Sequence, residues 1–135
     1  RGLTLGANYT HLRAKRFDTI APPTGDTYSD KYAAFARWEA SEKPYWLEYR
    51  VRRNAEDELN LQPGEEPPVV GRILPGFTVH NLAGGVTVGP WAGLEHTVML
   101  EVANLTDELY AEFSNASFFR PEPGRRVSAI YRLKF

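Results

Sequence analysis

The stretch that decides the fold is the last one, Arg126-Val-Ser-Ala-Ile-Tyr-Arg-Leu-Lys-Phe135. Its odd positions are Val127, Ala129, Tyr131, Leu133 and Phe135. Its even positions are Arg126, Ser128, Ile130, Arg132 and Lys134, with Ile130 the one apolar residue among them. Successive side chains of a strand point to opposite faces, so this alternation sorts apolar from polar residues cleanly in a strand and would scatter them around a helix.

Working back from the end, the same period returns. Leu3, Leu5, Ala7 and Tyr9 alternate with Thr4, Gly6, Asn8 and Thr10. Tyr45, Leu47, Tyr49 and Val51 alternate with Trp46, Glu48, Arg50 and Arg52. Leu82, Gly84, Val86 and Val88 alternate with Asn81, Ala83, Gly85 and Thr87, and Val98, Leu100 and Val102 with Thr97, Met99, Glu101 and Ala103. Tyr32, Ala34, Ala36 and Trp38 make a weaker series in Lys31–Glu39, a segment that also reads as a short helix over Lys31–Ser41. The expected fold is all-β, an antiparallel meander of about six strands. Gly84-Gly85 falls inside a strand, where paired glycines suggest a bend or bulge.

The connections alternate in length. Two are short: Ala40–Pro44, and Gly89–Leu94. Three are long, Phe17–Ser29, Arg53 to about Gly76, and Leu105 to about Gly124, and they hold most of the prolines. Short turns at one end and long loops at the other describe the periplasmic and extracellular ends of a membrane barrel. Trp38, Tyr45 and Trp91 lie beside the short turns, with Phe135 at the terminus, where an aromatic belt at a membrane–water interface is expected. The charged face, with Glu48, Arg50, Arg52, Glu101, Arg126 and Arg132, would be costly toward hydrocarbon and cheap toward a wet lumen. A soluble antiparallel sandwich alternates in the same way and stands as the alternative. A complete small outer-membrane barrel is another, needing more strands than these.

Composition narrows the rest. The 135 residues hold 16 basic and 17 acidic side chains, so no basic stripe argues for nucleic acid. With no cysteine, disulfide scaffolds and cysteine-based zinc sites are excluded. The chain begins with Arg1 and opens on no export signal, so it reads as a piece of something longer or a processed form. His11, His80 and His96 lack the short spacing of zinc ligands. The acids Glu56, Asp57, Glu58, Glu65 and Glu66 crowd one loop as solvated surface. Neither a nucleophile elbow nor a phosphate-cradling glycine loop occurs, so no enzyme and no cofactor is expected. Asn-x-Ser/Thr triplets at Asn8, Asn104 and Asn115 are short enough to arise by chance.

The last third resembles the end of a TonB-dependent outer-membrane receptor. The residues that carry the resemblance are Ile73-Leu-Pro-Gly-Phe-Thr-Val-His-Asn-Leu82, Glu101-Val-Ala-Asn-Leu-Thr-Asp107 with Tyr110, and Phe118-Phe-Arg-Pro-Glu-Pro-Gly-Arg125 before the terminal strand. The match is specific over about 100–135, moderate over 73–100, and one of pattern alone before that. The resemblance implies a twenty-two-stranded barrel around an N-terminal plug, a size in keeping with plugged large barrels. Residues 1–135 would supply about its last six strands, in the outer membrane of a Gram-negative bacterium.

The expected function is then part of an active-transport receptor for a scarce nutrient such as an iron chelate or haem. Its partners would be outer-membrane lipid, the barrel-assembly machinery and an unidentified small-molecule ligand. The TonB complex would be reached only through the missing plug. Val127, Ala129, Tyr131, Leu133 and Phe135 are similar to the terminal signal read by the barrel-assembly machinery. Asn104, Leu105, Thr106, Asp107 and Tyr110, with Pro123, Gly124 and Arg125, would shape the last extracellular loop. Arg53 and Arg72 are candidates for ligand contact in the loop they flank.

Overall fold

The structure, a computed structural model, describes residues 2–12, 28–41, 44–58, 64, 66, 73–111 and 121–135. Six long strands form one antiparallel sheet: β1 (Gly2–His11), β2 (Asp30–Glu39), β3 (Tyr45–Asn54), β6 (Phe77–Trp91), β7 (Leu94–Ala103) and β8 (Arg126–Lys134). A two-stranded ribbon, β4 (Asp57–Glu58) with β5 (Ile73–Leu74), stands between β3 and β6. The sheet order β1-β2-β3-β6-β7-β8 is a meander in which each long strand pairs with the next one in the chain. Among the described residues, β1 and β8 each pair along one edge only.

Residues 30–39 are a strand, which settles the helix–strand ambiguity: Ala34 and Ala36 sit opposite Ala7 and Leu5 on one side and Val51 and Tyr49 on the other. Three expectations need correction. The second short turn is tighter than Gly89–Leu94, for only Ala92 and Gly93 separate β6 from β7. Both have positive φ, 53° and 78°, as a two-residue hairpin turn requires. The glycine pair makes no bulge. Gly84 and Gly85 stay in register with Leu100 and Met99, and the irregularity lies between Val88 and Trp91, where Pro90 has no N–H to donate. Nor is the stretch after Arg53 a plain loop, since it contains the ribbon; β6 begins at Phe77, where that connection is expected to end, four residues before the alternation quoted from Asn81.

The registers carry the alternation across the whole sheet. One row runs Leu5, Ala36, Tyr49, Leu82, Val102, Val127, and the next runs Leu3, Trp38, Leu47, Gly84, Leu100, Ala129. Every strand thus sends its apolar positions to the same face, and a slip of one residue anywhere would break the pattern. That face is covered by no second layer among the described residues: Leu3, Leu5, Val98, Leu100, Tyr131 and Leu133 are between 39% and 69% exposed.

Gly85 has its own reason. A Cβ there would lie 2.7 Å from Nε1 of Trp46, whose ring rests on Gly85 across the β3–β6 ladder. The Arg37 guanidinium stacks on the same ring at 4.2 Å from its centroid. The row continues through Met99 to Ile130, so the exceptional Ile130 belongs to an apolar strip crossing the otherwise polar face.

Among the described residues the buried core is small and sits at the long-loop end of the polar face. Tyr28, Leu74, Phe77 and Val79 form it, with Tyr110 packed against them. Tyr28 Oη donates to the Pro75 carbonyl at 2.9 Å, and Phe77 meets Tyr28 edge-on at 5.4 Å and Tyr110 at 4.6 Å. These contacts bind parts of all three long connections to the sheet. Asp57 is part of this fastening: its Oδ2 accepts from the Ser29 N–H at 2.7 Å, so this acid is more than solvated surface.

Candidate functional site

Three regions were singled out by sequence, and the structure places each. The first is the turn after β7. Asn104 is buried, with a φ of 52° that few residues other than glycine and asparagine adopt readily. Its backbone N–H donates to Asn81 Oδ1 at 2.9 Å. Its side-chain amide donates to the Glu108 carbonyl at 2.9 Å and accepts from the Glu108 N–H at 2.8 Å. Asp107 Oδ1 accepts the Arg125 N–H at 2.6 Å, which pins the start of β8. A Cβ on Gly124 would come within 2.7 Å of that same oxygen, so glycine is what leaves room for the clamp.

Tyr110 completes the arrangement by joining the core and accepting the Glu122 N–H at its carbonyl, 2.8 Å away. The structure therefore brings Asn104, Asp107, Tyr110, Gly124 and Arg125 together. Leu105 and Thr106 form the exposed crest of the turn, and Pro123 is exposed beside it. Asn104 cannot serve as a glycan acceptor while so buried, Asn8 lies on the polar face, and Asn115 lies outside the described residues, as do Glu65, Arg72 and 118–120.

The second region is the aromatic group beside the short turns. Trp38 and Tyr45 lie with ring centroids 5.5 Å apart, and Trp91 lies 5.5 Å from His96, which is 6.0 Å from Tyr131. With the fully exposed Phe135 they edge the apolar face at its short-turn end. Sequence reading missed two further ring contacts: Tyr9 stacks on Tyr32 at 5.0 Å at the other end, and nearer mid-sheet Tyr49 pairs with His80. Tyr9 and Tyr32 are direct cross-strand partners, a fact that only the register exposes.

All three histidines face the apolar side, each bonded within it. His11 and Tyr9 share Asp30, His80 bonds Tyr49, and His96 bonds Tyr131 at 2.6 Å. Among the described residues no cluster of His, Asp or Glu suits a metal ion.

The third region is the polar face, where all six long strands line a hollow of about 660 Å³. Arg50, Arg52 and Arg126 face it together with Glu101 and Glu122. Beside it the Glu48 carboxylate, itself buried, lies between Arg37, whose Nη1 is 3.1 Å from Oε2, and Arg50. Arg52 stands over Phe77 and Tyr110 at 5.6 and 5.8 Å. Among the described residues this lining mixes charges of both signs. Arg53, by contrast, leaves the polar face: it pairs with Tyr32 and Thr78 in the apolar-face row.

Val127, Ala129, Tyr131, Leu133 and Phe135 are all exposed, on a strand whose second edge is unpaired among the described residues. No family model, no curated protein and no solved structure matches this chain.

Proposed function

We propose that the chain is the C-terminal wall segment of a TonB-dependent outer-membrane receptor, its apolar face toward lipid and its charged face toward the lumen. The observation that carries this reading is the register: six consecutive strands keep apolar residues on one exposed face and Arg, Glu and Asn on the other. A soluble sandwich buries the apolar faces of its sheets against one another, and here that face has no covering layer among the described residues. Further support comes from aromatic rings at both ends of the apolar face, the position of the two girdles of a membrane barrel. From Leu3 to Tyr9 is about 20 Å along the strand, a length that fits an apolar band of about 25 Å.

In this reading the barrel wall and its outer loops serve import of a scarce nutrient, driven through a plug carried elsewhere in the receptor. β8 supplies the free edge and the alternate apolar side chains by which the assembly machinery would take hold, as strand addition demands. The turn at Asn104–Asp107 fixes where the last long loop returns to the sheet.

The test exploits the absence of cysteine. Single cysteines at Val98, Met99, Leu100 and Glu101 are introduced into the complete receptor in outer membranes and exposed to a water-soluble maleimide. Labelling at Met99 and Glu101 with protection at Val98 and Leu100 is expected. Uniform labelling, or a product that stays soluble without detergent, ends the membrane reading.

A further inference from the structure

The apolar face is not uniformly rough. Over β1–β3 its floor drops where Ala7 faces Ala34 and Leu5 faces Ala36, with Val51 alongside. Two hollows of about 460 and 440 Å³ open there, and they share Ala7, Ala34 and Val51, so they form one groove along the strands. The stacked Tyr9–Tyr32 pair closes its long-loop end together with Arg53, and Leu5 and Tyr49 bound the other end.

We infer that this groove is a seat for one anionic, phosphate-bearing membrane lipid, an acyl chain lying on the alanine floor and the phosphate meeting Arg53. The inference rests on the membrane reading above. From the Tyr32–Arg53 row to the Ala36–Tyr49 row is four residues, about 13 Å along a strand. That is close to one leaflet of a hydrocarbon core about 30 Å thick. The cation stands at the long-loop end, where headgroups would lie.

Charge decides the headgroup. Arg53 is exposed and joins no ion pair among the described residues. The acid nearest to it in register, Asp30, is engaged by the Tyr9 hydroxyl at 2.6 Å and by His11 Nδ1 at 2.8 Å. Arginine suits phosphate because its planar fork donates two parallel hydrogen bonds. Long side chains stand over much of the rest of this face, as at Leu3, Trp38, Leu47 and Leu100.

The experiment uses the complete receptor in detergent micelles, with native mass spectrometry counting retained lipid. The probes are phosphatidic acid and diacylglycerol with identical acyl chains, and inorganic phosphate as competitor. One phosphatidic acid is expected to be retained, about fivefold over diacylglycerol, the preference that one interfacial arginine supplies. Arg53→Gln should bring that ratio to unity, and Ala34→Leu, which fills the floor, should lower retention of both lipids. Free phosphate at the lipid's concentration should displace nothing.

An unchanged ratio in Arg53→Gln, a lipid count rising without a plateau, or a receptor dimer in place of bound lipid overturns the inference. So does displacement by free phosphate. A receptor that resides in the membrane with a ratio of one loses this site alone, whereas a chain that never enters the membrane loses the underlying reading as well.

Discussion

The two faces of this sheet are built by the same strands and differ only in residue parity, yet different forces hold them. Across the polar face, Arg37, Glu48 and Arg50 form a line of charges over two strands, and Thr87 meets Thr97 at 3.2 Å. Across the apolar face the links are rings: Tyr9 with Tyr32, Trp38 with Tyr45, Tyr49 with His80 and His96 with Tyr131. Several polar atoms there bond one another, with the Tyr9, Tyr49 and Tyr131 hydroxyls each meeting an acid or a histidine on the same face, while Arg53 at the long-loop end joins no ion pair among the described residues. On the proposed membrane reading, polar groups on that face need such partners because hydrocarbon supplies none. The polar face carries no such obligation, since water is an adequate partner for an arginine left over.

The largest test of that difference places one charge on either face. Leu100→Arg puts a guanidinium at mid-strand on the apolar side and should cost about 2–4 kcal/mol in a bilayer. Ser128→Arg, on the polar side of the neighbouring strand, should cost within about 0.5 kcal/mol. Urea titration of the vesicle-refolded protein measures both, and equal costs would erase the distinction between the faces.

Next in size is the turn after β7, where the polar side becomes a packed interior. Asn104→Ala removes the partner of both the Glu108 N–H and its carbonyl, and it leaves an alanine at a φ of 52°. A loss of about 1–3 kcal/mol follows from the unsatisfied groups. Asn8→Ala, on the same face but exposed, should change stability by less than about 0.5 kcal/mol. If the two asparagines cost the same, the clamp on β8 is not held as the hydrogen bonds indicate.

Local alternation made the six strands and the two faces legible, because period two is written in each strand without reference to its neighbours. What stayed hidden depends on pairs. Trp46 over Gly85 is a cross-strand contact, so the glycines read as a bend. Tyr9 and Tyr32 lie on strands joined by a long connection, and nothing in either segment announces their stacking. The ribbon of Asp57–Glu58 with Ile73–Leu74 has two residues a side, too few for any period. The core escaped for a different reason: Phe77 and Val79 are apolar residues on the polar face, where the loops fold back, and an alternation begun at Asn81 stopped short of them. The site was half legible. The spacing of Asn104, Asp107 and Gly124 drew attention to them, but their mutual bonds follow from the turn's geometry.

A third test asks how much the charge line itself contributes. Glu48→Gln takes one carboxylate from between Arg37 and Arg50 and leaves two cations about a neutral amide. A cost of about 1 kcal/mol is expected, the upper end for partly exposed pairs, shrinking as salt is raised. On the opposite face, Tyr49→Phe strands the His80 ring nitrogen and should cost a similar amount with no salt dependence. Salt sensitivity on both faces would mean that both are wet.

The smallest effect lies at the hairpin between β6 and β7, where neither face is involved and the backbone alone sets the energy. Ala92 holds a φ of 53°, and Gly93 follows at 78°. An L-residue with a Cβ is strained by about 1–2 kcal/mol in that region, so Ala92→Gly relieves strain while adding freedom to the unfolded chain. The two effects oppose, and a gain of about 0.5 kcal/mol is expected. Gly93→Ala, whose added Cβ meets nothing within 4 Å, imposes the same strain without a steric clash and should lose about 1 kcal/mol. Opposite signs for the two substitutions, read as shifts of the urea midpoint, separate backbone strain from packing. A loss in both would mean that the Ala92 methyl group makes a contact worth more than its own strain, and the turn would then belong to the apolar face after all.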